Sequence, residues 1–543
     1  MLTLNFNCNF EALNSLSGLT KLDESFLQYL KEQDISLANS LKSYRKQLVP
    51  QDKEYSTFLV KLAPLLDDFI SELFNITQEN LVIKKIHKQF DVIYECRHKF
   101  IQRYVLKKYP KDMILDFDFM QISLELADIV GTITEHSISN AVLNWQESPE
   151  EHSKQLDLVA KYCAFMMHNN SNLMLFDVPM PMEQIRKHKI ASLKQDLNLG
   201  FDYRDREKSV DKAVAHSKYC IYCHKQEKDS CSHGITDTDK NGCPLQQKIS
   251  EMHLLKSQGL NIAALGVIMI DNPLVAATGH RICNDCMQSC IYQKQDPVNT
   301  PMVESNILEE VLSLPWGVEI YLLLSKWNPL NIESPLPKSL TNKNILVTGL
   351  GPAGFALSHY LINEGHNVSA IDGLKISPLE CDTSKPIKYW QDIKIPLSQK
   401  KPQGFGGVAE YGITNRWDKN NLTLIRLILE RRTNFTMQGG IRLGSNITTT
   451  QAFDLGFDHI ALCLGAGKPR FMNSTDYFTK GVKSASDFLM NLQQGASYLT
   501  SSNSNLLLRM PAIVIGCGLT AIDSAVEILH YYPIQVENFY NNC

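Results

Sequence analysis

An excess of basic residues, the usual mark of a protein that binds nucleic acid or an anionic membrane surface, is absent from this sequence. The 543 residues contain 54 lysines and arginines against 58 aspartates and glutamates, which gives a net charge of −4. A protein surface that binds nucleic acid usually carries clustered basic residues. We therefore expect neither a nucleic-acid partner nor a polybasic membrane contact.

Long apolar runs are also absent. A helix that spans a bilayer needs about 20 consecutive apolar residues, and the longest runs here are short pieces such as residues 265–270 and 321–324. The first ten residues lack the basic and apolar regions of a secretory signal. The sequence therefore predicts a cytoplasmic protein without a membrane span.

The composition is that of a globular protein. Hydrophobic residues make up 44% and charged residues 21%, and the length predicts three or four domains. The first two hundred residues are predicted to be helical, because apolar residues recur at helical spacing, as in the segment that Asp34 precedes with Leu37 and Leu41. A Pro- and Ser/Asn-containing stretch at residues 328–343 is a predicted linker. After it, strands, glycine-rich turns and helices alternate, which is typical of α/β architecture.

Cysteine is concentrated in one segment. Seven of the 14 cysteines are Cys220, Cys223, Cys231, Cys243, Cys283, Cys286 and Cys290. In an intracellular protein such clustering favours a metal centre or redox chemistry over structural disulfides. One site with four ligands would leave three of the seven thiols unused, and two such sites would need one further ligand. The spacing alone leaves open two iron–sulfur clusters or two zinc sites completed by His216, His224, His233 or His280.

This segment resembles the N-terminal iron–sulfur domain of the glutamate synthase small subunit family, a module that also begins dihydropyrimidine dehydrogenase. The matching residues run from Cys220-Ile-Tyr-Cys223 to Pro-Met-Val-Glu304. In that family seven cysteines and one carboxylate or amide side chain hold two [4Fe-4S] clusters. The resemblance implies one cluster on Cys220, Cys223, Cys231 and Cys290, and another on Cys243, Cys283, Cys286 and Glu304. The stretch from residue 232 to residue 242 is longer than the corresponding stretch in the family. Of the eight ligands, Cys231 is therefore the one that the resemblance supports least.

A glycine-rich turn opens the α/β region. A predicted strand leads into Gly349-Leu-Gly351-Pro-Ala-Gly354 and a helix, and a second strand ends at Asp372. In a Rossmann-like fold the glycines make the turn, admit a pyrophosphate and pack the helix on the strand, while the acid binds a ribose. The sequence therefore predicts a dinucleotide site. The glutamate synthase resemblance implies that this nucleotide is FAD, and the likeness continues through Gly406 and Gly407.

A second glycine-rich turn lies near the end of the chain. A predicted strand at residues 512–516 leads into Gly516-Cys-Gly518-Leu-Thr-Ala521-Ile-Asp523, with a helix to about His530 and another strand at residues 534–536. This turn resembles the family's nicotinamide-nucleotide site. Leu519 stands where the family has an acid, and no basic residue follows to choose between NADH and NADPH.

These patterns together predict a multidomain chain. The expected domains are a helical region at 1–205, a helical dicluster domain at 213–327, an FAD-binding Rossmann-like domain at 340–510 and the start of an NAD(P)H-binding domain at 511–543. The resemblance begins at about residue 213 and stops before the family's closing flavin segment. We therefore expect one part of a longer protein, or a truncated product, with a second chain supplying the remainder.

The function that this resemblance implies is electron transfer. Electrons would pass from NADPH or NADH through FAD to two [4Fe-4S] clusters and then to an electron-accepting protein subunit. No acid–base catalyst is assigned, because this scheme requires none. Two alternatives remain at this point: a catalytically incomplete fragment that acts as a scaffold, and a zinc-stabilised nucleotide-binding module.

Overall fold

The structure is a computed structural model. It describes residues 4–46, 52–110, 113–114, 117–169, 173–176, 210–226, 228–278, 283–293, 295–396, 399, 419–465, 476–502, 504 and 506–542.

The N-terminal part is helical, as predicted. Its helices are α1 (Leu16–Gln33), α2 (Ile35–Tyr44), α3 (Asp52–Leu73), α4 (Thr77–Cys96), a π-helical stretch (Arg97–Val105) with one further turn (Leu106–Lys108), α5 (Phe119–Val130), α6 (Glu135–Trp145) and α7 (Ser153–His168). Asp34 caps α2 as expected, because its carboxylate accepts a hydrogen bond from the Leu37 amide at 2.9 Å.

The cysteine segment is helical too. It contains α8 (Val210–Tyr219), α9 (Ile249–Ser257), α10 (Asn261–Asp271), α11 (Thr300–Ser313) and α12 (Gly317–Leu324), with shorter turns at Cys223–Gln226, Ser230–His233, Val275–Thr278 and Asp285–Gln288. Helix α10 is buried along almost its whole length. It contacts both α3 and α11, so the N-terminal helices and the cysteine segment are packed together.

A parallel sheet follows. Strands β1 (Asn344–Thr348), β2 (Asn367–Asp372), β3 (Phe435–Gly439) and β4 (His459–Leu462) lie in the order β3-β2-β1-β4. Helix α13 (Pro352–Asn363) joins β1 to β2, and α14 (Asn421–Glu430) and α15 (Thr449–Asp454) precede β3 and β4. The predicted first strand, helix and second strand are thus confirmed as secondary structure.

The two faces of the sheet are covered differently. Side chains alternate between the faces along a strand. Ile345 and Val347 of β1 therefore enter a large core that extends back to the N-terminal helices, whereas Leu346 joins a small cluster with Ile371 and Ala452. The sheet is consequently anchored to the helical body through one face.

The predictions around the second glycine turn were wrong in two places. Residues 512–516 pair with no strand among the described residues, and residues 534–536 lie inside helix α17 (Leu519–Asn542), which follows α16 (Ala485–Gln493). A strand needs a hydrogen-bonding neighbour, and Ile513 and Ile515 are exposed instead. Helix α17 buries Tyr531 in a small core with Phe488 of α16.

Burial keeps two of the enclosed histidines neutral. His253 of α9 and His359 of α13 lie in the interior, and burial lowers the pKa of each to about 3. The positive charge of Arg432 also acts on His359 in this direction. Both imidazoles therefore stay neutral in the folded state at pH values where the unfolded chain takes up protons.

Replacing Phe69 tests the shared helical core. Its buried ring lies 4.5 Å from the Phe6 ring and 6.0 Å from the Trp327 ring, between centroids. We expect Phe69→Ala to lower the free energy of unfolding by about 3–5 kcal/mol through lost burial and the cavity left behind. Urea unfolding followed by circular dichroism measures this. Phe478, which is 91% exposed, provides the matched control, and Phe478→Ala should change stability by less than about 0.5 kcal/mol. Equal effects of the two substitutions would contradict the assigned core.

Acid should destabilise the chain through its buried histidines. The unfolded imidazoles bind protons below the ordinary pKa of 6.5, whereas the folded ones stay neutral to about pH 3. The unfolded state therefore holds more protons between these values, and stability falls as the pH is lowered, by about 1.4 kcal/mol per unit for each histidine. We expect the free energy of unfolding to fall less between pH 7.5 and pH 5 in His359→Gln than in the natural chain. Parallel pH profiles of unfolding for the two proteins would refute this.

Candidate cofactor-binding sites

Four cysteines that are distant in sequence come together beside α8 and α11. Cys220, Cys223, Cys231 and Cys290 interact electrostatically with one another. The Cys231 thiol donates a hydrogen bond to the Cys290 sulfur, which lowers the pKa of Cys290 to about 7 and raises that of Cys231. We call these four residues thiol group one.

Backbone amides point at the sulfurs of thiol group one. The Tyr222 amide lies 3.4 Å from the Cys220 Sγ and donates to it, and the amides of Tyr292 and Val298 donate to Cys290. These bonds lower the pKa of the acceptor thiols, while burial raises the pKa of Cys220 to about 12. Such N–H groups stabilise negative charge on sulfur and tune a cluster that thiolates hold.

The remaining candidate ligands form a second set. Cys243, Cys283 and the Glu304 carboxylate all act electrostatically on Cys286, and their negative charges add to burial in raising the pKa of its thiol. We call these four residues thiol group two. Glu304 lies on α11, is 8% exposed and accepts hydrogen bonds from Gln247 and Asn272, while burial raises its pKa to about 7.

The two thiol groups are tied through the backbone. The Cys243 amide donates to the Cys231 carbonyl at 2.8 Å, so one residue of each group shares a hydrogen bond. The neighbouring Gly242 amide donates to the Ser289 Oγ at 3.1 Å. The early and late cysteine blocks therefore meet in one small region of the fold.

The thiol groups are not arranged as a finished metal site. Within the described parts of the chain, no three His, Cys, Asp or Glu side chains converge closely enough to hold a metal ion as they stand, and the cysteines there are free of disulfides. Two histidines weighed as zinc ligands each have a ring nitrogen engaged elsewhere. His216 Nδ1 accepts from the Asn299 amide, and His224 Nδ1 lies 2.6 Å from the Ser250 Oγ. His280 lies outside the described residues.

The first glycine turn is tightly packed. Gly349 has a φ of +96°, and a Cβ there would lie 2.2 Å from the Cys463 carbonyl oxygen. A Cβ on Gly354 would lie 1.8 Å from the Gly349 oxygen. Gly351 occupies the N-cap of α13 and has no side chain to cover the first-turn amides. The turn thus leads into a helix N-terminus whose N-cap residue makes no side-chain hydrogen bond to the backbone amides.

Asp372 holds this turn against the end of β2. Its Oδ2 accepts a hydrogen bond from the Leu350 amide at 2.7 Å, and its Oδ1 accepts one from the Leu374 amide at 2.8 Å. The predicted ribose-binding carboxylate therefore lies beside the glycine turn, as expected. Gly406 and Gly407, which the resemblance assigns to the same site, lie outside the described residues.

The second glycine turn is open by comparison. A Cβ on Gly518 would meet nothing within 4 Å, although Gly516 has a φ of +133° and faces the Ala521 methyl group. The Ala521 amide donates to the Gly518 carbonyl at 3.0 Å as α17 begins. Asp523 is buried on this helix, whereas Cys517 is exposed. The turn is present without the strand expected on its N-terminal side.

Aromatic residues around thiol group one were not anticipated. Tyr219 and Tyr292 stack with ring centroids 4.3 Å apart, and the charges of Tyr222, Tyr292 and Cys220 all act on Tyr94 of helix α4. Tyr219, Tyr222 and Tyr292 are each within two residues of a cysteine of thiol group one in the sequence, which was the available signal. Tyr94 carried no such signal, because it reaches thiol group one from helix α4 of the N-terminal region.

Comparison with known proteins identifies one family model and several relatives. A family model described as the RP005 N-terminal alpha-helical domain matches residues 4–75. "Uncharacterized protein RP005" of Rickettsia prowazekii is 39% identical over 295 residues, covering 47% of this chain and 99% of that protein. "Uncharacterized protein RP006" of the same organism is 63% identical over 269 residues, covering 50% of this chain and 38% of that protein.

A more distant relative carries a functional name. The chain is 27% identical over 311 residues to the glutamate synthase [NADPH] small chain of Bacillus subtilis, covering 55% of this chain and 52% of that protein. This chain therefore spans about half or less of the length of RP006 and of the B. subtilis protein. Among the helices that the structure describes, none has the length and apolar character needed to cross a bilayer.

Alanine at the two glycine turns should have opposite consequences. The methyl group of Gly354→Ala would overlap the Gly349 carbonyl oxygen, so we expect a loss of about 1–3 kcal/mol or more as the backbone moves. Gly518→Ala, the matched control, meets open space and should change stability by less than about 0.5 kcal/mol. Thermal unfolding of both variants measures the difference. Tolerance of alanine at position 354 would show that the first turn is not packed in this way.

Proposed function

This chain belongs to the family of the Rickettsia prowazekii protein RP005, and we propose that it is the flavin- and iron–sulfur-dependent part of an oxidoreductase. Its distant similarity to glutamate synthase small chains points to an oxidoreductase family. The proposed activity passes electrons from NADPH or NADH to a protein partner. The whole enzyme, its final acceptor and its partner subunit are part of the proposal.

The observation that carries this proposal is the sorting of eight side chains into two sets of four. Thiol group one and thiol group two contain the same members that the family resemblance assigns to two [4Fe-4S] clusters. Amide donors to sulfur and burial of most of the thiols are both features of iron–sulfur sites. Because the side chains do not yet converge on a metal position, the clusters would draw them inward on assembly.

Residues of the sheet region support a dinucleotide site. The parallel order β3-β2-β1-β4 is the order of the first four strands in dinucleotide-binding folds. In the proposed site the α13 amides bind the pyrophosphate, and the Asp372 carboxylate accepts hydrogen bonds from a ribose. Asp372 would exchange its bond from Leu350 for one from the sugar. We assign this site to FAD, in a domain at residues 340–510.

These proposed sites give each cofactor a separate role in electron transfer. When bound, FAD accepts electron pairs from NAD(P)H, and iron–sulfur clusters carry single electrons onward. The protein's own residues bind, orient and shield these groups. Gly516, Gly518, Ala521 and Asp523 remain the predicted contacts for the nicotinamide nucleotide, in a domain that begins at residue 511.

Purification without air tests the proposal directly. We expect about eight iron and eight labile sulfide atoms per chain, as two [4Fe-4S] clusters require, together with FAD. Cys290→Ser should remove about half of the iron, because it takes one thiolate from thiol group one. Iron, sulfide and flavin analyses of the purified full chain provide the measurement.

Cys163 supplies the matched control. It is buried and free, but it lies in the core of the N-terminal helices rather than beside either thiol group, so Cys163→Ser should retain all of the iron. Zinc without sulfide would instead support the zinc-stabilised module, and a colourless chain with neither metal nor flavin would support the scaffold alternative. Either result would overturn the proposed function.

A further inference from the structure

The start of the predicted linker at residues 328–343 is buried, together with the residues just before it. Residues 325–332, which we call the connector, link α12 of the cysteine segment to the approach to β1. Trp327 and Leu330 have no exposed surface, and Asn328 and Ile332 are also buried. Segments between domains usually run over the surface and exchange few contacts. Another part of the chain must therefore cover this connector.

The cover begins with helices α1 and α3. The Trp327 ring packs against both Phe26 of α1 and Phe69 of α3, with centroids 5.8 Å and 6.0 Å away, and the two phenylalanine rings are themselves 5.2 Å apart. Its indole N–H donates to the Asp23 Oδ1 at 2.9 Å. Arg45 also pairs with Asp23, at 2.7 Å. The tryptophan is thus enclosed by aromatic rings and fixed by a charged acceptor.

Other N-terminal residues hold the connector on both sides of Trp327. Lys326 Nζ donates to the Asn14 Oδ1 at 2.7 Å. The Tyr55 hydroxyl donates to the Leu330 carbonyl at 3.3 Å. These contacts come from the short 3-10 helix at Ala12–Asn14 before α1 and from α3. All of them lie within residues 4–75, the range that the RP005 N-terminal domain model matches.

The same N-terminal segment also reaches the sheet region. The guanidinium of Arg431, just after α14, lies 5.4 Å from the centroid of the Phe10 ring. Arg431 pairs with Glu319 of α12 at 2.7 Å, and Glu319 accepts the Ile387 amide at 2.7 Å. The Arg431–Glu319 pair therefore joins the cysteine segment, the sheet region and the N-terminal segment at one point.

We propose that residues 4–46 and 52–75 form a clamp that closes on the connector and fixes the sheet region relative to the cysteine segment. The clamp holds the Trp327 ring against two phenylalanine rings and its indole N–H on Asp23, while Asn14 and Tyr55 bind the chain on either side of it. The fixed geometry between the glycine turn and the thiol groups follows directly. Its use in electron transfer rests on the proposed function, whereas the clamp itself does not.

Hydrogen–deuterium exchange of the full chain tests the clamp. The amides of Trp327, Asn328 and Asn331 are hydrogen-bonded within the connector and its flanks, so their exchange reports its opening. Asp23→Ala leaves the buried indole N–H without its acceptor, and we expect connector exchange to accelerate about tenfold or more. Trypsin should then also cleave after Lys326, which is buried in the natural chain.

Asp34→Ala is the matched control. Asp34 caps α2 in the same helical region, and its loss costs about 1 kcal/mol, but it does not contact the connector. We expect it to leave connector exchange within about twofold of the natural chain, because local opening is set by local contacts. Equal acceleration by both variants, or acceleration by Asp23→Ala confined to α1–α3, would overturn the clamp.

A milder pair covers the case in which Asp23→Ala fails to fold. Tyr55→Phe removes only the hydroxyl that bonds Leu330, and Tyr44→Phe removes one that bonds Glu54 at 2.6 Å within the N-terminal region. Connector exchange should rise about threefold in the first variant and stay unchanged in the second, because one neutral hydrogen bond contributes about 0.5–1.5 kcal/mol. No difference between them would overturn the clamp. A purified chain without iron or flavin would refute the proposed function. The exchange measurements on the connector would still test the clamp.

Discussion

The burial of Trp327 is the contact on which the arrangement of this molecule depends. Its ring packs against Phe26 of α1 and Phe69 of α3, and its N–H donates a hydrogen bond to the carboxylate of Asp23. A tryptophan buries a large apolar area, and its N–H needs a partner when enclosed. Because it lies between the cysteine segment and the sheet, one side chain joins three parts of the chain. The N-terminal helices are therefore part of the core on which both candidate sites rest, rather than a separate appendage.

Interleaving of the cysteines imposes a second constraint. Thiol group one takes the early cysteines and also Cys290, while thiol group two takes Cys243 together with Cys283, Cys286 and Glu304. Neither set can assemble unless the chain between residues 243 and 283 folds back, and the buried helix α10 is the element that returns it. The thiol positions thus depend on the packing of α10 against α3 and α11. This links the candidate cluster region to the N-terminal helices through apolar contacts and through the hydrogen bond that the Ala263 amide of α10 donates to the Asp67 Oδ2 of α3 at 3.0 Å.

Local patterns were readable from the sequence, and long-range contacts were not. The cap at Asp34 and the first glycine turn are determined by residues a few positions apart, so periodicity and turn chemistry were sufficient to predict them. Burial of residues 325–332 depends on helices about three hundred residues earlier, and their proline-containing continuation was typical of a linker. The strands expected at residues 512–516 and 534–536 failed for a related reason. Apolar β-branched residues favour a strand, but only a neighbouring strand supplies its hydrogen bonds.

The two glycine turns show why a motif gives a weaker inference than its surroundings. Their first two glycines have the same spacing, yet in the first turn the Gly354 position touches the Gly349 carbonyl, and Asp372 binds the Leu350 amide. Those contacts exist because β1 and β2 are paired side by side, which brings the carboxylate at the end of β2 next to the turn after β1. At the second turn the preceding segment has no strand partner among the described residues, and Gly518 faces open space. A dinucleotide site is built by the sheet that positions the turn, so the first turn carries the stronger argument for a bound nucleotide.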